Sequence, residues 1–222
     1  MKNNAASRSR RILLDASKQK DDLRAIDVWR SVLTGNDEAA EPFEVVRLSD
    51  SLRKELELAE RQLAGADVPE ETYRPHFDKA YAAVAIGNTN ANWKTYKQHI
   101  TGELLVCLAF SEHIIPVNEP EFDENEIQKV QSLIDELKEE LRISDVDPEL
   151  SHFLRQQIDL LERGFHDLRV KGSKALQRCY IDGLGEIVEN AEIISKHSDE
   201  RIVNKLKNVW DGFDHAPVLV AF

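Results

Sequence analysis

The sequence predicts an all-α fold: an antiparallel helical bundle of about eight helices, as one large domain or two packed subdomains. Three observations predict it. Apolar residues recur at three- and four-residue spacing along most of the chain. Nine glycines and seven prolines in 222 residues are too few for the dense turns of a sandwich or barrel. Charged residues reach 32%, which suits helices with long solvated faces.

The elements follow in order. Residues 1–11 are polar and basic and are expected to be mobile, as part of a flexible basic arm over 1–16. A first helix is predicted over 17–34, with Leu23, Ile26, Trp29, Val32 and Leu33 inward and Gly35 as its stop. A second covers 43–64, its stripe running through Val45, Leu48, Leu52, Leu56, Ala59 and Leu63. Pro69 suits the first position of a third helix, to about 86, with Tyr73, Phe77, Ala80 and Val84 inward. A fourth is expected over 90–112. Its LLVCLAF run is apolar nearly all round, which predicts a central position in the bundle.

Past the loop PVNEPEF, Asp123 and Glu126 fit a capping box for a fifth helix carrying Ile127, Val130, Ile134, Leu137 and Leu141. Asp147 and Pro148 supply the cap and first residue of a sixth, with Leu150, Phe153, Leu154, Leu161, Phe165 and Leu168 inward. A seventh begins near Ser173. Its Gly183 and Gly185 each cost about 1 kcal/mol relative to alanine, which predicts a close helix approach or a kink. An eighth starts near Ser198 and carries Ile202, Val203, Leu206, Val209 and Trp210, with Gly212 as its stop. The expected subdomains are 17–115 and 122–215, followed by an apolar tail over 216–222.

The net charge of −12 is unevenly spread. Residues 1–20 hold six cations against one anion, leaving −17 on the rest. An acidic body repels phosphate backbones and anionic lipid, so any nucleic-acid contact is expected only through the arm, at Arg8, Arg10 and Arg11. Cys107 and Cys179 lie among apolar residues in no metal-binding spacing, as reduced core cysteines of a cytoplasmic protein would. The basic N-terminus lacks the apolar stretch of a signal peptide, and no apolar run approaches the ~18 residues that span a bilayer.

Chemistry is weakly signalled, and no catalytic residue, metal ligand or cofactor is assigned. None of the seven histidines has an arginine five to seven residues upstream, the spacing of helical ribonucleases of the HEPN type. Glu162 and His166 share a helical face, but Arg155, Arg163 and Arg169 interleave and would repel a dication; a solvated face of paired charges explains the pattern. Asp145, Asp147 and Glu149 lack the glycine and distal glutamate of a calcium loop. Gly172 with Lys171 and Lys174 is no phosphate-binding loop.

The stretch from Ile143 to Ile187 resembles a pattern found in uncharacterised bacterial helical proteins: an acidic turn, a helix with paired apolar positions, a glycine, then another helix. Asp147, Pro148, Phe153, Leu154, Leu161, Gly172 and Leu176 carry the likeness, over about a fifth of the chain. The resemblance names no family and no activity. The absent catalytic motifs, the unbalanced charge and the apolar terminus point to a non-enzymatic interaction or regulatory subunit, and the resemblance implies a bacterial setting such as a phage-defence or toxin–antitoxin system. The expected partner is another protein chain, or a second copy as a homo-oligomer. The expected contacts are Val218, Leu219, Val220 and Phe222 of the tail, which would leave large apolar side chains in water unless docked. The alternatives are a helical nuclease-like enzyme with a non-standard site, and a nucleic-acid binder using the arm.

Overall fold

The computed structural model describes residues 3–35, 40–85, 87, 88, 90–117, 124–198 and 200–214. Among the described residues the fold is all-α, with eleven helices and no strand beyond an isolated bridge between Arg24 and Asn92. The chain divides into two compact units, Met1–Glu119 with Arg169–Gly172, and Pro120–Leu168 with Ser173–Phe222.

The first unit holds α1 (Ala5–Ser17), α2 (Ala25–Thr34), α3 (Pro42–Gly65), α4 (Glu70–Val84), α5 (Lys94–Lys97) and α6 (Gly102–Ile114). Helix α1 corrects the expected basic arm. Asn4 and Ser7 form a reciprocal capping box, each side chain accepting from the other's backbone N–H at 3.0 Å. The small side chains of Ala5, Ala6, Ser9 and Ala16, with Ile12 and Leu13, let α1 pack closely against α3 and α6. Three arginines masked this stripe in the sequence, because small residues give little hydrophobic signal.

The expected helix over 17–34 is likewise divided. Lys18 ends α1, and the polar turn up to Arg24 is pinned from outside: the Trp93 indole donates to Ala16 O at 3.2 Å, and Lys97 Nζ to Gln19 O at 2.7 Å. Helix α2 then closes at Gly35, whose φ of 71° lies in the left-handed region that glycine tolerates. Helix α3 follows its predicted stripe, with Val45, Leu48, Leu52, Leu56, Ala59 and Leu63 all buried. Pro69 caps α4 rather than occupying its first turn. The expected helix over 90–112 is broken between α5 and α6, where the Thr101 hydroxyl caps α6 by accepting from Leu104 N at 3.3 Å.

The second unit comprises α7 (Glu124–Ile143), α8 (Pro148–Lys171) as far as Leu168, α9 (Ser173–Glu189), α10 (Ala191–Lys196) and α11 (Arg201–Asp214). Asp147 caps α8 as expected, accepting from Glu149 N at 2.9 Å. The capping box at Asp123 and Glu126 falls outside the described side chains. The core joins Val130, Ile134 and Leu137 of α7 to Leu150, Phe153 and Leu161 of α8, with Leu176 of α9 and Ile202, Leu206 and Trp210 of α11.

Gly183 has the reason its cost required. A Cβ built there would meet the Trp210 ring at 2.2 Å, so α9 and α11 approach where only a hydrogen fits. The Trp210 indole donates to Gln157 Oε1 at 3.2 Å, and fully buried Gln157 donates to Glu186 at 2.6 Å. Gly185 faces open space, and nothing in the structure explains it. Gly212 does not stop its helix, which runs to Asp214; a Cβ there would sit 3.3 Å from Leu133.

Candidate functional site

The site follows from an inversion on α6. Its apolar run has no polar side to turn outward, so position in the unit decides which residues are covered. The buried face takes Leu104, Leu108 and Ser111, whose hydroxyl donates to Cys107 O at 2.8 Å. Val106 is left 69% exposed and Phe110 60%, one turn apart on the opposite face. The expected central position for this helix is therefore wrong: α6 lies at the surface of its unit, with a serine inside and a phenylalanine outside.

Helix α1 holds α6 in that orientation. The Asn4 side chain accepts its capping bond through Oδ1 and donates through Nδ2 to Glu112 O and Ile115 O, at 3.1 and 3.0 Å. One residue thus caps the start of α1 and satisfies carbonyls at the end of α6.

Beside Val106 and Phe110 runs an apolar groove of about 600 Å³. Leu63 of α3, Val68 in the following turn, and Thr72, Tyr73 and His76 of α4 form one wall, and Gly102, Glu103, Cys107 and Ser111 of α6 the other. Its polar groups are few. The buried Nδ1 of His76 has no hydrogen-bond partner. The Glu103 carboxyl is held below the usual carboxylate range by hydrogen bonds from the Thr101 hydroxyl and its own backbone amide, so it is anionic at neutral pH. Cys107 is a free, half-buried thiol whose pKa burial raises. The groove presents a large apolar surface with a charge at one end, suited to holding an apolar side chain of a partner.

Of the arginines expected to meet nucleic acid, Arg8 is differently employed. Arg8 is 1% exposed and wholly inside the first unit. Its guanidinium donates to Glu55 at 2.5 Å, to Val170 O at 3.0 Å and to Asn3 Oδ1 at 3.2 Å. Arg10 pairs with Glu112 at 3.5 Å. Arg11 reaches the surface; desolvation, then the like charges of Arg169 and Arg8, lower its pKa. A helix, not a free arm, carries all three, and the one at its buried face cannot reach a phosphate. The tail residues Val218, Leu219, Val220 and Phe222 lie outside the described residues.

Glu162 pairs with Lys138 at 2.5 Å, beside a groove of about 510 Å³ between α7 and α8. Arg142 pairs with Glu139 at 2.6 Å in the same groove. Both signs of charge line it, as on a solvated face laced with ion pairs. Among the described residues no group of His, Cys, Asp and Glu is placed to hold a metal. Cys179 is buried, with its thiol pushed up to about 12 by desolvation and then by nearby carboxylates, so it is an inert core residue. Among the described residues no helix is long and apolar enough to cross a membrane. A second exposed apolar stripe, Ile181, Leu184 and Val188, runs along α9 in the second unit.

Val106 and Phe110 are the site residues that sequence reasoning missed. The signal was present in LLVCLAF, a run too apolar to be amphipathic, but an all-apolar helix reads equally as a core helix or as one with two partners. Comparison with family models, with curated proteins and with solved structures finds no match to this chain.

Proposed function

We propose that this protein is a helical interaction subunit that works by binding another polypeptide through the exposed face of α6 and the groove beside it. The observation that carries this reading is the pairing of exposed Val106 and Phe110 with a neighbouring apolar groove, on a helix held rigidly by Asn4. Leaving such side chains in water forgoes roughly 1.5–3 kcal/mol each, which a partner recovers on docking.

The double substitution Val106→Glu with Phe110→Glu tests the reading. Both side chains are exposed, so the melting temperature is expected to stay within a few degrees of the parent. Fluorescence of an anilinonaphthalene sulfonate dye bound to the groove is expected to fall several-fold. Dye binding unchanged by the two charges would contradict an accessible apolar site on α6.

A further inference from the structure

The outward face of α6 carries a pattern with its own two-fold symmetry. Glu103, Val106, Phe110 and His113 are spaced three, four and three residues apart, all exposed. This is the alternating spacing by which helices pair side by side. The pattern is centred at position 108, which is also the midpoint of α6. In an antiparallel pair of such helices, related by a two-fold axis at that point, Val106 meets Phe110 of the second copy and Phe110 meets its Val106. Glu103 meets His113 of the second copy, again twice. The apolar layers fall in the middle and the polar layers at both ends.

We propose that the partner of the α6 face is a second copy of this chain, bound as an antiparallel, two-fold α6–α6 pair. This rests on the reading of α6 as an interaction surface and specifies its occupant. Polar complementarity selects a like chain: the face offers a carboxylate, Glu103, and an imidazole, His113, at equal distances from its centre, so an inverted copy of itself places each opposite the other. An isologous interface requires this self-complementarity. The Glu103 carboxylate is anionic at neutral pH, and His113 is 70% exposed, its Nε2 4.0 Å from its own neighbour Glu112. Gly102, Cys107 and Ala109 flank the stripe with small side chains, so the helix axes can approach closely. The groove then receives the edge of the second copy's Phe110 ring. A pair of 13-residue helices lies at the low end of interface sizes, so the dimer is weak and reversible, with a dissociation constant roughly in the micromolar range.

Sedimentation velocity on the full chain, from roughly 1 μM to 1 mM, reads the outcome. The parent is expected to pass reversibly from monomer to dimer. Phe110→Glu weakens dimerisation at least about tenfold, since it places a carboxylate in the central layer. His113→Glu weakens it by opposing the Glu103 carboxylate of the second copy, Glu103→Lys weakens it by removing the acceptor that faces His113, and the Glu103→Lys/His113→Glu exchange restores it. Circular dichroism melts confirm that each variant is folded. Recovery in the exchanged variant supports the two-fold pairing, because only an arrangement with position 103 facing position 113 produces it. A parent that stays monomeric to 1 mM overturns the pairing, and so does a dimer indifferent to these changes or an exchange without recovery. Failure here is separable from failure of the interaction reading: a monomeric parent whose dye binding still falls in the Val106→Glu/Phe110→Glu variant sinks only the self-pairing.

Discussion

Replacing Arg8 by alanine is expected to destabilise the first unit by about 3–5 kcal/mol, the usual cost of breaking a buried ion pair from one side. The buried Glu55 carboxylate would lose the Arg8 guanidinium, and Val170 O the hydrogen bond it accepts from it. The pair itself is weak evidence of net stabilisation, because taking both charges out of water is costly. Arg8→Met combined with Glu55→Leu is therefore expected to recover most of the loss. Urea unfolding with a probe in the first unit checks both variants. A single variant with unchanged stability would mean that Arg8 is solvated and that α1 is not anchored as described. Deleting residues 1–11 is not a neutral removal of an arm. It strips Arg8 and most of α1 from the core, so a loss of nucleic-acid affinity in such a variant would report unfolding.

The second large effect separates two glycines two residues apart. Gly183→Ala gains about 1 kcal/mol in helix propensity but drives a methyl into the Trp210 ring, at an overpacking cost of about 1–3 kcal/mol. The ring is held by Gln157 and by contacts with Tyr180 and Phe213, at centroid distances of 5.9 and 5.4 Å, so it cannot swing aside cheaply. Net destabilisation is expected. Gly185→Ala meets open space and is expected to stabilise by up to about 1 kcal/mol. Thermal unfolding reads the sign of each. Equal stabilisation by both would remove the close approach of α9 and α11.

Much of the fold could be read from the residues because long amphipathic stripes leave one solution. Leu48, Leu52, Leu56 and Leu63 of α3 fall on one face, and all are buried. Asp147 followed by proline marks a helix start by local chemistry alone, and the cap is present. The failures also have physical causes. Helix α1 buries alanines and serines, whose transfer from water is nearly neutral, and it carries a fully buried arginine that sequence patterning assigns to solvent. The break at 18–24 is imposed by Trp93 and Lys97, more than seventy residues away. Helix α6 misled in the opposite direction. A Phe110 in an apolar run reads as core, yet the choice between Phe110 and Ser111 is made by where Asn4 holds the helix. The candidate site thus depends on a tertiary contact that no local pattern contains.

Photo-crosslinking in living cells, from a benzoylphenylalanine placed at position 106, tests the central claim most directly. Its control is the same group at position 57, among the charged residues of α3. Position 106 is expected to yield a discrete adduct with a polypeptide, a second copy of this chain included, and position 57 is not. Adducts no more abundant at 106 than at 57 would contradict the claim that the α6 face is where this protein binds.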